Sequence, residues 1–340
     1  MLSRIKLLSE IKLNIKSRAQ DGRFSVIAGP KTADVRVSSL PSDYGETLVM
    51  RVLLPHEIIH IKDLGLRDDL LLALKKEIRK SNGLILVTGP TGSGKTSTLY
   101  AILQDIAKPE LKIVTIEDPI EYRLPGISQT QVEQDQGYDF ANGLAAIVRQ
   151  DPDVILVGEI RDAQTAKITS QAALTGHLVL STLHTNDAAG TVARLQALGE
   201  SVTNIAPALN MAIAQRLVRK VCKNCSEMTA VTEKQLEYLQ KNLTGLSGRI
   251  KLPALDSGLK IAHPKGCHEC NDTGYKGRIG IFEFFIVDDD MENFILKSPS
   301  IVDIKKYAVE KGMLDMQKDG LIKVILGVTT LEEVERETAE

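Results

Sequence analysis

Residues 89–96 read Gly-Pro-Thr-Gly-Ser-Gly-Lys-Thr, a spacing that suits the binding of phosphate groups. The segment matches the pattern G-x4-G-K-[ST] between an apolar run and a helical stretch. Glycines let backbone N–H groups surround a phosphate, and the start of the helix adds partial positive charge. Lys95 is predicted to reach the β- and γ-phosphates, and Thr96 to offer a hydroxyl to Mg²⁺. The predicted nucleotide-binding residues are Gly89, Pro90, Thr91, Gly92, Ser93, Gly94, Lys95, Thr96 and Ser97.

Acidic side chains follow two other apolar runs. The run 112–116 leads into Glu117 and, a few residues later, Glu121, and the run 154–157 leads into Glu159. In a parallel sheet these acids would lie at the edge that carries the phosphate loop. Hydrolysis of a bound triphosphate needs a metal-holding acid and a group that orients water, so the two segments are candidates for these roles. The second segment resembles a Walker B strand, with Glu159 where Asp is more usual.

Two histidines flank a further apolar run. His177 precedes residues 178–182, and His184 follows them. A single histidine is commonly structural, but His184 is predicted to lie at the carboxyl end of a strand, on the edge where the nucleotide would be. A sensor or polariser of the γ-phosphate is therefore a reasonable role for it.

Four cysteines form two C-x2-C pairs separated by 41 residues. Each pair places two thiolates on one knuckle, and two knuckles can complete a tetrahedral site for Zn²⁺. The chain starts with charged residues rather than an export signal, which favours a metal site over disulfides. The long spacer predicts an embedded structural site, and His263 and His268 are alternative ligands. The predicted zinc ligands are Cys222, Cys225, Cys267 and Cys270.

The composition limits the classes of protein that can carry these residues. The chain has 340 residues, of which 43% are hydrophobic and 25% charged, as in an ordinary globular protein of two or three domains. A net charge of −2 does not suggest a broad basic surface for nucleic acid. Aromatic residues are 4% and there is no Trp, so base-stacking platforms would be scarce. The sequence has no apolar run of the length that spans a membrane.

The pattern of apolar residues predicts the elements that position the site. Residues 2–19 have helical spacing, and short strands are expected near 23–28, 33–38 and 48–53, with a loop at 40–46. Residues 66–80 predict an amphipathic helix. From residue 84, short apolar strands alternate with helices, which predicts a parallel sheet covered on both faces. The predicted strands are 84–88, 112–116, 154–157 and 178–182, and the predicted helices are 95–107, 139–149, 162–175 and 187–198.

Taken together, residues 3 to about 338 resemble the secretion and type IV pilus ATPases of bacteria, specifically the type II secretion and pilus-assembly branch. The tetracysteine segment is similar to the module of this branch, whereas the retraction ATPases of the same superfamily lack it. The matching motifs are the Walker A loop at 89–96, the Asp box at 115–122, the Walker B segment from 149–153 through 158–162, and the His box from 175–177 through 181–185.

The resemblance implies roles for individual residues. Glu121 looks like the Asp-box glutamate that activates water, and Glu159 is similar to the Walker B glutamate that organises Mg²⁺ together with Thr96. His177 and His184 resemble the His-box pair near the γ-phosphate.

Two arginines of the N-terminal region complete the implied catalytic set. Arg36 and Arg51 look like the arginines that close onto the γ-phosphate and stabilise charge in the transition state. The alternative for both is an exposed strand face with ordinary ion pairs. The family's middle helix usually carries one more arginine, at the position that is Ala145 in this chain.

The resemblance also implies a fold, α/β with a RecA-like P-loop NTPase core, and a domain organisation. The chain is expected to begin partway through the family's second N-terminal domain and to lack the first. The predicted parts are a partial α+β (PAS-like) domain at 1–64, a linker and helix at 65–82, the ATPase domain at 83–218, a tetracysteine zinc module at 219–281 and a helical region at 282–340.

The implied function is that of a hexameric motor that hydrolyses Mg-ATP and drives the assembly of pilins or pseudopilins by domain rotation. Its cofactors would be ATP, Mg²⁺ and Zn²⁺. Its partners would be five further copies and an inner-membrane platform protein, which would hold it peripherally at the cytoplasmic face of the membrane, with no nucleic acid expected. A pilus retraction ATPase, a DNA-translocating RecA-like ATPase and a nucleotide-sensing docking subunit without turnover remain alternatives.

Overall fold

The computed structural model divides the chain into two compact units, Met1–Ile58 and Ile59–Glu340. Some residues of three predicted domains (1–64, 219–281 and 282–340) lie outside the described part of the chain. The structure describes residues 1–28, 31–53, 59–243, 246, 250 and 252–339, with residues 28, 31, 32 and 53 described by their backbone alone.

The first unit is a small α+β structure. A short helix, α1 (Leu2–Leu8), precedes an antiparallel sheet of three strands in the order β1-β2-β3. Ile11, Val35 and Val37 form its buried core. The strands are β1 (Gln20–Ala28), β2 (Lys31–Ser42) and β3 (Gly45–Leu53).

The helix predicted over residues 2–19 is wrong beyond Leu8. Glu10 has a positive φ of 60°, which a continuing helix does not allow. The segment after the helix is held by buried Lys6, whose ammonium donates to the Ile15 carbonyl oxygen at 2.9 Å and pairs with the Glu46 carboxylate at 2.5 Å. The loop predicted at 40–46 is also wrong, because β2 and β3 pair as far as Ser42 and Gly45 in a tight hairpin.

The second unit alternates strands and helices. Within the described residues, no helix combines the length and apolarity needed to cross a lipid bilayer. Short 3₁₀ turns cover Ile61–Leu64, Gln134–Gln136 and His268–Cys270. The elements are α2 (Asp68–Glu77), β4 (Gly83–Thr88), α3 (Lys95–Ile106), β5 (Ile113–Glu117), β6 (Ser128–Gln131), α4 (Phe140–Val148), β7 (Val154–Val157), α5 (Ala163–Leu174), β8 (Leu178–Leu183), α6 (Gly190–Ala197), α7 (Val202–Ala208), β9 (Leu209–Val221), β10 (Ser226–Ala230), α8 (Glu233–Leu243), β11 (Lys260–Pro264), β12 (Tyr275–Ile286), α9 (Asp289–Ile295), α10 (Ile301–Glu310), α11 (Met316–Ile325) and α12 (Leu331–Thr338).

The central sheet has seven strands in the order β12-β9-β4-β8-β7-β5-β6. Six of them are parallel, including the four that the sequence predicted, and all residues of these four, β4, β5, β7 and β8, are buried. The seventh strand, β12, runs antiparallel to β9, so the whole sheet is mixed, while the four predicted strands are parallel to one another.

The β9–β12 pair also crosses two of the predicted domain boundaries. Its register extends from Val221 opposite Tyr275 to Met211 opposite Ile286, so each strand lies partly in the predicted zinc module and partly outside it. A separate two-stranded sheet of β10 and β11 lies in the chain between these strands.

Apolar side chains cover both faces of the central sheet. Along β4, Leu84 and Leu86 belong to one buried cluster, whereas Ile85 and Val87 belong to another. A third cluster joins α8 and β11 to α11 and α12. Because both faces of the sheet are covered, we expect a functional site at the strand ends.

Candidate functional site

The loop after β4 has a backbone that only glycines adopt without strain. Gly89, Gly92 and Gly94 have φ angles of +144°, +83° and +89°. A Cβ on Gly89 would lie 2.4 Å from the carbonyl oxygen of Gln215, so the loop also requires a residue without a side chain there. α3 begins immediately after this loop, with Lys95 as its first residue.

Lys95 and Thr96 occupy the first turn of α3. The Lys95 ammonium donates to the carbonyl oxygens of Gly89 and Pro90 at 2.8 and 3.1 Å. Burial lowers the pKa of Lys95, and the negative charge of Glu159 opposes this effect. The hydroxyl-bearing Thr96 is exposed. A cation, a hydroxyl and the start of a helix therefore meet at one point.

Glu159 lies in the segment that follows β7, between two basic side chains. One carboxylate oxygen is 2.5 Å from Arg161, and the other is 3.7 Å from Nε2 of His184. The Thr182 hydroxyl donates to the Gly158 carbonyl oxygen at 2.8 Å, and the Ile160 N–H donates to the Thr182 carbonyl oxygen at 3.0 Å. These bonds attach the Glu159 segment to the end of β8, from which His184 follows.

The Asp-box segment starts at the end of β5, beside the Glu159 segment. The Gly158 N–H donates to the Ile116 carbonyl oxygen at 2.8 Å. A Cβ on Gly158 would lie 3.3 Å from the Cα of Glu117, so the two segments are in close backbone contact. Glu117 is buried, whereas Glu121 is exposed.

Four of the predicted features therefore share one edge of the sheet. The phosphate loop, His184, Glu159 and the Asp box follow the adjacent strands β4, β8, β7 and β5.

His177 is not brought to this edge by the fold of this chain. It precedes β8, its Nδ1 is 3.0 Å from the Ala172 carbonyl oxygen, and its own carbonyl oxygen accepts from the N–H of Gly83 at the start of β4. A strand of six residues separates the two histidines, a distance of roughly 20 Å.

Arg36 and Arg51 lie in the first unit, on one face of its sheet. They are directly opposite each other on β2 and β3, and Arg23 of β1 is opposite Arg36 in the same row. Like charges placed directly opposite in a sheet repel each other, which suits a face that meets an anion.

Sequence reasoning missed Gln215, which holds the phosphate loop in place. This residue of β9 is 2% exposed. Its amide donates to the Ser93 carbonyl oxygen at 2.8 Å, and its carbonyl accepts from the Thr98 hydroxyl at 2.7 Å, so it joins the loop to α3. The sequence did offer one signal for this role. An amide side chain follows directly after the apolar run 211–214, and a buried polar group needs hydrogen-bond partners.

The four cysteines form a compact cluster at the ends of β9 and β12. Their Sγ atoms all lie within 4.8 Å of one another, with separations of 3.9, 3.8 and 3.7 Å for three pairs. A tetrahedron of thiolates around Zn²⁺ has S–S separations of about 3.8 Å, because each Zn–S bond is about 2.3 Å. A disulfide needs about 2.05 Å. The cluster therefore fits a zinc ion and not a pair of disulfides.

The protein environment of this cluster favours the thiolate at Cys270 and disfavours it at Cys267. Burial raises the pKa of Cys270. The N–H groups of Cys267 and Gly274, each 3.2 Å from its Sγ, and the thiols of Cys267 and Cys225 act against burial, and together they lower the pKa to about 7. Burial and the Cys270 thiol raise the pKa of Cys267 to about 11. In the described part of the chain, neither His263 nor His268 belongs to the cluster.

A family model described as "Type II/IV secretion system protein" matches residues 1–336, so the chain belongs to this family. The chain is 45% identical over 341 residues to the type IV pilus assembly ATPase PilB of Thermus thermophilus, covering all of this chain and 37% of that protein. It is also 45% identical over 341 residues to the type II secretion system protein E of Dickeya dadantii, again covering all of this chain and 66% of that protein. The resemblance inferred from the motifs is confirmed, and the chain spans between about a third and two thirds of the length of these relatives.

Solved structures confirm the fold class. The pilus retraction motor PilT with bound ADP is 27% identical, with a TM-score of 0.67 over 95% of this chain and 78% of that one. The ATPase DotB of Legionella pneumophila has the same TM-score at 20% identity, over 94% of this chain and 77% of that one, and supports the fold alone. The second unit thus has the RecA-like architecture expected from the phosphate loop and its sheet.

Proposed function

We propose that this chain is the motor part of a secretion or pilus-assembly ATPase, which hydrolyses Mg-ATP to move pilin-like subunits. One observation carries the proposal. The phosphate loop, His184, Glu159 and the Asp box lie at the ends of four adjacent strands, where a nucleotide would contact all of them. The assembly and secretion relatives at 45% identity favour this direction of work over retraction.

In this proposal each residue has one task. The loop N–H groups and Lys95 bind the phosphates, and Thr96 and Glu159 offer the oxygen atoms that Mg²⁺ prefers. The metal ion supplies neutralisation of the phosphate charge. Arg161 and His184 hold the Glu159 carboxylate, and Glu121, exposed on the segment beside it, orients water and accepts its proton.

The larger assembly is also part of the proposal. Arg36 and Arg51 engage the γ-phosphate when the first unit closes on a nucleotide, so that turnover becomes movement of one unit against another. Six copies form a ring, which acts on a membrane platform protein from the cytoplasmic side. His177, remote from the phosphate loop of its own subunit, has no assigned step. Zn²⁺ has a structural role, because four thiolates leave no open position for substrate.

The test is Mg²⁺-dependent release of phosphate from ATP, with mass by light scattering on the same samples over a range of protein concentrations. We expect specific activity to rise as hexamer forms. Lys95→Ala should lose nucleotide binding, whereas Glu159→Gln and Glu121→Gln should keep binding and lose at least about 100-fold in turnover. Exposed Glu110, beyond the end of α3, supplies the matched control Glu110→Gln.

Three results would contradict the proposal. Full turnover by Glu121→Gln would remove the assigned base, and tight nucleotide binding without any turnover by the unaltered chain would indicate a nucleotide sensor. Strong stimulation by DNA with a steep salt dependence would indicate a DNA translocase instead.

A further inference from the structure

A buried hydrogen-bond network connects α3 to the segment that carries Glu121. Its first member is Tyr100, a fully buried residue on the same helix as Lys95 and Thr96. The Tyr100 hydroxyl donates to Oε2 of Glu117, at the end of β5. This contact joins the helix that would bind phosphate to the start of the Asp box.

Three neutral donors converge on the buried Glu117 carboxylate. Besides Tyr100, the Thr115 hydroxyl donates to Oε1 at 2.6 Å, and the Gln129 amide donates to the same oxygen at 3.1 Å. Glu117 is 3% exposed, and these three groups that donate to its carboxylate carry no charge. A buried carboxylate needs such donors, so the network fixes Glu117 and is in turn held by it.

The network continues into the main chain at Glu121 and just after it. The N–H of Glu121 itself donates to the Tyr100 hydroxyl. Gln129 donates to the Tyr122 carbonyl oxygen at 3.2 Å and accepts from the Leu124 N–H at 2.7 Å. The rings of Tyr100 and Tyr122 meet edge to face with centroids 4.6 Å apart.

We propose that Tyr100 is a positioning residue for Glu121, acting through Glu117 and Gln129. The inference rests on the proposed function, in which Glu121 activates water. A ring alone would suffice for packing in this place, but the hydroxyl lies where the Glu117 carboxylate and the Glu121 N–H converge. Since α3 also carries Lys95, the phosphate-binding residue and the water-activating residue are held by one rigid element.

The test compares Tyr100→Phe with the unaltered chain. The substitution keeps the ring and its contact with Tyr122 but removes the hydroxyl. We expect kcat to fall about 10-fold while the Kd for nucleotide stays within twofold, because no phosphate-binding residue is altered. Tyr238→Phe is the matched control, since it removes a hydroxyl that accepts from Gln317 at 3.1 Å outside the nucleotide edge, and its kcat should not change.

A double-mutant cycle separates positioning from general loss of structure. In a Glu121→Gln background, measured by single-turnover hydrolysis, Tyr100→Phe should produce no further loss, because its effect passes through Glu121. Gln129→Leu should reproduce the fall in kcat, because it removes another member of the same network. This second variant keeps the test decisive if Tyr100→Phe lowers the melting temperature.

The outcomes distinguish this inference from the proposed function. Unchanged kcat in both Tyr100→Phe and Gln129→Leu, with Glu121→Gln inactive, would overturn the positioning role and leave the ATPase proposal standing. Losses that multiply in the double variant would also overturn it. Full turnover by Glu121→Gln would instead overturn the proposed function.

Discussion

Glu283 shows how one buried carboxyl group can affect the segment after His184. It is 2% exposed, and its carboxylate accepts from the Ala188 N–H at 2.9 Å. Burial raises the pKa of Glu283 to about 7, and the negative charges of Asp187 and Asp315 add to this effect. The Ala188 N–H and the positive charge of Lys305 act in the opposite direction. The group therefore changes charge near neutral pH, although its residue type alone suggests a fixed negative charge.

We expect Glu283→Gln to stabilise the protein above pH 7. From its ordinary pKa of 4.5 up to about 7, the folded protein keeps a proton that the unfolded chain releases, so stability falls as pH rises through this window. Glutamine has no such proton, and its carbonyl can still accept from the Ala188 N–H. Denaturant unfolding should show equal stability at pH 4.5 and a gain of up to about 3 kcal/mol at pH 8.

Exposed Glu310 at the end of α10 provides the control for this experiment, since Glu310→Gln should leave the pH dependence as it is in the unaltered chain. A difference between Glu283→Gln and the unaltered chain that stays constant from pH 4.5 to pH 8 would contradict the assigned titration.

At the scale of elements, continuous apolar runs correctly predicted strands, whereas the pairing of two strands far apart in the sequence was not predicted. Strands β4, β5, β7 and β8 were predicted because they are buried throughout and consist mostly of apolar residues. The antiparallel pair of β9 and β12 was missed because its two strands are far apart in the sequence and β9 mixes apolar with basic residues. Helix α1 was predicted too long because helical spacing does not reveal Glu10 in a left-handed conformation.

The candidate site divides in the same way. Lys95, Glu159 and Glu121 were predicted from motifs, because the proposed chemistry needs particular residue types at particular positions. Gln215 and Gln129 could not, since their roles depend on partners brought close only by the fold.

Gln215 leads to a prediction about β9. In Gln215→Ala the Ser93 carbonyl oxygen and the Thr98 hydroxyl lose buried partners, and the phosphate loop loses its link to α3. We expect nucleotide affinity to fall about 10-fold, since each unsatisfied buried group costs about 1–3 kcal/mol and part of that cost falls on the loop. Equilibrium binding of a fluorescent ATP analogue measures this.

The same strand offers a control at its other end, where the Asn210 amide donates to the Asn82 carbonyl oxygen at 3.0 Å. Asn210→Ala should alter stability without altering nucleotide affinity. Equal affinity losses in the two variants would show that β9 acts only as general support.

At the scale of the whole molecule, Arg23, Arg36 and Arg51 form a row on one face of the first unit's sheet, which we propose meets the γ-phosphate. If Arg51 acts when the first unit closes on a nucleotide, its substitution should lower the activity without lowering the stability. We expect Arg51→Gln to lower kcat by about 10³-fold, the size typical of an arginine that contacts a transferring phosphoryl group, with little change in nucleotide Kd. Its melting temperature should be unchanged or higher, because the substitution removes repulsion within the row.

Exposed Arg18 lies in the same unit, ahead of β1, and Arg18→Gln should retain full kcat. If Arg51→Gln also retained full kcat in samples that contain hexamer, the closing role would be wrong and the row would be an ordinary strand face.

The cysteine cluster predicts one zinc ion per chain by elemental analysis. Cys270→Ser should lose that zinc and lower the free energy of unfolding by several kcal/mol, because metal binding contributes directly to folding. A strong chelator should destabilise the unaltered chain but have no further effect on the variant. The control is Thr229→Ala on exposed β10, which should keep one zinc ion and its stability. Full stability of a zinc-free chain would contradict the structural role.

One feature of β9 links the two sites. Gln215, which holds the phosphate loop, and Cys222, which belongs to the metal cluster, are seven residues apart on a single run of chain. If a distortion at one end of this run reaches the other, zinc binding and nucleotide binding are coupled through one shared element. Thermodynamic reciprocity then requires that nucleotide change the affinity for zinc by the same factor as zinc changes the affinity for nucleotide. The equilibrium between bound and chelated zinc would then report the nucleotide state without any chemical turnover.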